Sequence, residues 1–165
     1  MRILEAREIT LMTRVIQAAQ ESALLSSCWK SRRGAVVFNI NPGLAAVDLL
    51  GRGYNRPPQG RFCRPAVCEK VCNLFTIHAE RDAIQDAIFK GHDIRQASVL
   101  HLKVENGGMC VSDDLSCRDC SGFMWQELSA RGLSLKEMIL FQTPGFVAYD
   151  IEEYHKLTLQ WWEGK

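Results

Sequence analysis

Two short stretches decide how this chain reads: "TIHAERDAI", residues 76–84, and "SCRDC", residues 116–120. The first places His78 and Glu80 at the start of a segment that reads as a helix over 76–90, with Thr76 as N-cap and Gly91 as stop. The second opens another helical segment with a C-x-x-C pair, Cys117 and Cys120, where Ser116 and Asp119 stand in capping-box positions. A lone His-x-Glu is a common surface pattern, and a lone C-x-x-C also suits a redox pair. Together they offer one imidazole and two thiolates, the kind of donor set that catalytic zinc takes while keeping a fourth position for water. A helix start also suits the cysteines, because its unpaired N–H groups and dipole favour thiolate.

Outward from these stretches the chain alternates. Residues 10–26 place Leu11, Val15, Ala18 and Ala19 at helical spacing. "GAVVFNI" (34–40) and "LAAVDLLGRG" (44–53) read as two strands around a Pro-Gly turn, and a Gly/Pro/Arg/Cys-rich loop covers 54–74. A strand follows over 97–104, then a loop, a helix over 116–131, a strand over 137–142 and a closing helix over 150–162. This order predicts one three-layer α/β/α domain over residues 1–165, with a mixed sheet of about five strands. Phe146 and Tyr149, past the last motif, are read as core.

Composition narrows the function classes. The chain has 165 residues, 47% hydrophobic and 24% charged, which is globular rather than disordered. Its net charge of +1 provides no general attraction to nucleic acid. Locally, "GRGYNRPPQGRFCR" (51–64) holds Arg52, Arg56, Arg61 and Arg64 and no acid, either a solvated loop or a place for phosphates. The apolar runs are too short for a membrane span, and Arg2, Glu5, Arg7 and Glu8 do not fit a signal peptide, so a cytoplasmic protein is expected. Seven cysteines in a reducing compartment point to metal before disulfides.

With "HAE" at 78–80 and "CRDC" at 117–120, the sequence resembles the cytidine/deoxycytidylate deaminase superfamily, whose zinc signature is H-x-E followed by P-C-x-x-C. Ser116 stands where that signature has proline, and the segment 105–116 is longer than usual. The resemblance implies a cytidine-deaminase-like fold with a core over about 10–142, and a catalytic Zn²⁺ on His78, Cys117 and Cys120. It implies that Glu80 is no ligand but the general base, moving a proton from water to the ring nitrogen and then to departing ammonia. "GYNRPPQG" (53–60) is similar to the G-Y-N-x-x-P-x-G segment of deoxycytidylate deaminases, which implies that Asn55 contacts the nucleotide. Ala79 and Ser116 beside the metal, and Arg56 and Arg61 in the basic loop, complete the expected substrate contacts. "NRP" (55–57) also looks like a stretch of tRNA adenosine deaminases.

Some relatives carry a second, structural zinc, and Cys28 and Cys63 fall in the corresponding places; Cys68 and Cys72 would complete a four-cysteine site, leaving Cys110 over. The expected activity is hydrolytic deamination of a deoxycytidine nucleotide, dCMP or a 5-substituted dCMP, to the uracil nucleotide and ammonia. The alternatives are a cytosine or adenine deaminase acting on RNA or single-stranded DNA, and a non-catalytic zinc-binding assembly module. The resemblance further implies a homo-oligomer, a dimer or hexamer.

Overall fold

Strand β2 (Arg32–Asn41) is buried on both faces and sets the layering. In the computed structural model, which describes residues 1–41, 46–57, 63 and 76–164, Ala35 and Val37 enter one apolar core while Val36 and Phe38 enter another. Successive strand side chains point to opposite faces, so an unbroken buried run requires cover on both sides. Two neighbours repeat the pattern. β4 (Ser98–Glu105) sends Val99 to the first core and Leu100 and Leu102 to the second, and β6 (Glu137–Gln142) divides Met138 and Leu140 from Ile139.

The remaining elements are β1 (Arg2–Ile3), α1 (Ala6–Leu11), α2 (Thr13–Leu24), β3 (Ala46–Tyr54), α3 (Ala79–Phe89), β5 (Gly108–Cys110), α4 (Arg118–Gly122), α5 (Leu128–Ala130), β7 (Gly145–Asp150) and α6 (Ile151–Glu163). A π-helical segment, Phe123–Glu127, joins α4 to α5. The strands run β1-β7-β6-β4-β2-β3, with β5 on β4. Among these pairs β4 and β6 run parallel and the others antiparallel, so the sheet is mixed, as the sequence predicts. α2 covers one face through Val15, Ala18 and Ala19; α3, the π-helical segment and α6 cover the other.

The sheet has seven strands rather than about five. β1 and β5 are too short to give a periodic signal, and β5 folds the long 105–116 segment back on β4 as a hairpin. β7 has four consecutive buried residues, so it lacks the alternation that marks a half-exposed strand.

Three glycines let helices approach the sheet closely. A Cβ on Gly34 would lie 2.1 Å from the Ala19 carbonyl oxygen of α2. On Gly51 it would lie 2.3 Å from the Ala83 carbonyl oxygen of α3, and on Gly53 2.2 Å from the Ala83 nitrogen. The alanines at 79, 83 and 87 of α3 repeat every four residues and face Gly51 and Gly53.

Both helix starts differ from their predicted positions. Ile77 exchanges backbone hydrogen bonds with Arg56 at 3.0 and 3.1 Å, which keeps the chain extended past Thr76 and makes His78 the N-cap of α3. Cys117, not Ser116, caps α4: its sulfur accepts from the Cys120 N–H at 3.3 Å, while the Ser116 side chain is engaged elsewhere. α6 begins where expected because the Asp150 carboxylate accepts from the N–H groups of Glu152 and Glu153. No described helix is long and apolar enough to cross a membrane.

Candidate active site

The starts of α3 and α4 meet. The ligand atoms of His78, Cys117 and Cys120 lie within 4.8 Å of one another, and this is the only such group of three or more among the described residues. His78 Nδ1 is 3.5 Å from Cys117 Sγ. Tetrahedral zinc with Zn–N near 2.0 Å and Zn–S near 2.3 Å needs an N···S edge of about 3.5 Å, so the triad fits the ion the sequence implies.

Without the ion the triad shares protons. The Cys120 hydrogen bond, outweighing burial and aided by His78, pulls the Cys117 thiol down to about 5. Hydrogen bonding of its own thiol to the Cys117 sulfur, together with burial, pushes the Cys120 thiol far up. Hydrogen bonding to Cys117 raises His78 against the effect of its burial. Zinc needs neutral imidazole and two thiolates, so binding must expel the Cys120 proton and any proton held on His78. The logarithm of apparent zinc affinity is therefore expected to rise by about one to two per pH unit between about pH 6 and pH 8. Competition titration against a chelator at several pH values measures this slope, and a flat response would show that no ligand proton is released on binding.

Glu80 sits one turn into the site, 3% exposed. Burial would push its carboxyl up, but the His101 and His78 rings and the Ser116 hydroxyl outweigh it and hold the group as a carboxylate. Burial pushes His101 down to about 4, so that ring is neutral near pH 7. There the support for the carboxylate falls to His78 and to the Ser116 Oγ, which donates to Glu80 Oε1 at 2.5 Å. His101 Nδ1 lies 3.9 Å from the same oxygen, and its Nε2 is buried without a hydrogen-bond partner among the described residues.

A cavity of about 670 Å³ opens over this group, and of the residues expected on substrate or metal it is lined by Cys28, Asn55, His78, Ala79, Glu80, Ser116 and Cys117. The sequence reading missed Lys30, Arg33, His101, Trp161 and Trp162 on its walls. For His101 a signal existed: it shares β4 parity with Val99, on the face that α3 covers. Lys30 precedes β2, Arg33 lies at the start of β2, and Trp161 and Trp162 lie at the end of the last helix, where no local pattern marks a site.

The remaining expected residues divide. Asn55 is mostly engaged by its own chain: Oδ1 accepts from Ser26 Oγ and the Arg33 N–H, and Nδ2 donates to the Ser31 carbonyl, leaving one amide proton for a ligand. Arg56 forms a two-pronged pair with Asp82 at 2.5 and 2.8 Å and packs over Tyr54, and it is not among the described residues that line the cavity. The reason is local: the Arg56–Ile77 bridge brings it beside the first turn of α3, where Asp82 lies. Arg61, Arg64, Cys68 and Cys72 lie outside the described residues. Cys28 and Cys63 line a shared cleft, and Cys110 is a half-buried free thiol on β5. Phe146 packs on Phe141 in the core, and Tyr149 donates to Gln142.

No protein-family model matches the chain, and no curated protein matches it in sequence. Its fold is that of solved deaminases. The dCMP deaminase from the cyanophage S-TIM5 in apo form aligns with a TM-score of 0.54 at 18% identity, over 95% of this chain and 94% of that one. The cyanophage protein in complex with dCMP and dUMP gives 0.52 at 18% identity, over 84% and 83%. A cytidine deaminase from Burkholderia pseudomallei gives 0.55 at 14% identity, over 86% and 94%. The cytidine-deaminase-like architecture expected from the two motifs is thus the fold of this chain.

Proposed function

We propose that the protein is a zinc-dependent deaminase of a deoxycytidine nucleotide, converting dCMP and water to dUMP and ammonia. The observation that carries this reading is the pairing of a buried carboxylate, Glu80, with the His78–Cys117–Cys120 triad at the foot of one cavity. A purely structural metal site needs no such carboxylate. The likeness of the fold to dCMP and cytidine deaminases supports the same chemistry.

A zinc ion on the triad would act as a Lewis acid that makes water a nucleophile near neutral pH. Glu80 accepts the proton that water gives up, passes it to the ring nitrogen of cytosine, and later delivers a proton to the departing amine. Burial of Glu80 keeps bulk water from competing for that proton. Lys30 and Arg33 are the cationic walls of the cavity and are suited to a phosphate, with Arg33 shared with the exposed Asp114 at 3.0 Å. A second zinc on Cys28, Cys63, Cys68 and Cys72 belongs to the same proposal and rests on the resemblance of the sequence alone; Cys28 and Cys63 line one cleft.

The test offers zinc-loaded protein dCMP, 5-substituted dCMP, dCTP, deoxycytidine and an oligonucleotide containing cytosine and adenine, with products separated by chromatography. Preferred turnover of a monophosphate is expected. Turnover of the oligonucleotide alone would move the protein to nucleic-acid deamination, and no turnover with zinc bound would leave an assembly module. Elemental analysis of the same preparation distinguishes one zinc per chain from two.

A further inference from the structure

Every polar group of Ser116 is engaged. Its N–H donates to Tyr154 Oη at 2.8 Å, and its carbonyl accepts from Trp162 Nε1 at 3.2 Å. Its hydroxyl is bonded to Tyr154 Oη at 2.8 Å and to Glu80 Oε1 at 2.5 Å. Tyr154 is wholly buried and Ser116 is 5% exposed, so bulk water does not compete for these bonds.

The protons in this cluster can run in one direction only. A carboxylate cannot donate, so the single Ser116 hydroxyl proton goes to Glu80. The Ser116 oxygen must then accept from Tyr154, and the Tyr154 oxygen accepts in turn from the Ser116 N–H. A proline at position 116 would have neither the N–H nor the hydroxyl, so both links to Tyr154 and the link to Glu80 depend on serine.

We infer that Tyr154 and Ser116 are positioning residues: through a one-way chain of hydrogen bonds, the last helix fixes Glu80 Oε1 and leaves Oε2 as the oxygen that carries the proton. The inference rests on the reading of Glu80 as the general base. It ties catalysis to α6, which holds none of the metal ligands.

The test is a mutant cycle on zinc-loaded protein with dCMP as substrate. Ser116→Ala is expected to lower kcat by about ten- to a hundredfold, as loss of a hydrogen bond to a charged group would, with KM within about threefold and zinc content unchanged. Tyr154→Phe is expected to lower kcat by about tenfold, and to add less than about twofold in the Ser116→Ala background because the two act in series. Ser116→Thr keeps the hydroxyl and is expected to recover activity to within about threefold of the parent.

A second readout does not depend on turnover: the side-chain carboxyl ¹³C resonance of Glu80, assigned by its loss in Glu80→Gln. It is expected to move in Ser116→Ala and in Tyr154→Phe, with the double variant matching Ser116→Ala. An unmoved resonance in Ser116→Ala, or additive losses in the double variant, would overturn the inference. If the parent converts no cytosine compound while the resonance moves as described, the proposed reaction fails and the positioning chain stands.

Discussion

Glu80→Gln is expected to reduce dCMP turnover by about 10³-fold or more, the upper part of the range for loss of a general acid–base group. Glutamine keeps the shape and still offers Oε1 to the Ser116 hydroxyl, so the hydrogen bond that orients the side chain survives. It cannot take a proton. The metal triad lies on other side chains, so zinc content is expected to remain that of the parent. The midpoint of denaturation is not expected to fall, because the substitution removes a buried charge. Product chromatography, elemental analysis and a denaturant titration check the three parts. Turnover within about tenfold of the parent would remove the deaminase mechanism, since no other carboxylate lines the triad side of the cavity within the described residues except the exposed Asp114.

Gly53→Ala is expected to cost about 3 kcal/mol of stability, the high end for overpacking. The added methyl would meet backbone rather than flexible side chains: Ala83 N at 2.2 Å and Ala79 O at 2.5 Å, with Asp82 Cβ at 2.7 Å. To relieve these contacts, β3 and the first turn of α3 would have to move apart. Any shift moves the segment that presents His78 and Glu80, so zinc affinity is expected to fall with stability. Gly145→Ala is the control, since nothing lies within 4 Å of its Cβ position, and a change within about 0.5 kcal/mol is expected. Urea midpoints and zinc titration of both variants test the pair, and equal effects would disprove close approach as the cause.

What was legible in the sequence was what spacing encodes. His78, Glu80, Cys117 and Cys120 each sit within a turn of a helix start, so their positions follow once two helices and a sheet are recognised. The strands 34–40 and 137–142 were legible because runs of apolar residues mark a sheet covered on both faces. The partner of Arg56 was not legible, because a cluster of arginines does not name its carboxylate; Asp82 is 26 positions away. Ser116 misled for a similar reason. Its local pattern fits a cap, but a buried tyrosine 38 positions later competes for its hydroxyl and N–H. Such contacts exist only after the last helix docks.

That separation has a consequence for synthesis. On the proposed function, the ribosome delivers His78, Cys117 and Cys120 well before Tyr154 and Trp162. A nascent chain would then hold the proposed metal triad before the group proposed to orient Glu80. A transcript cut short upstream of Tyr154 would yield a polypeptide that carries the triad without the Tyr154 link to Ser116.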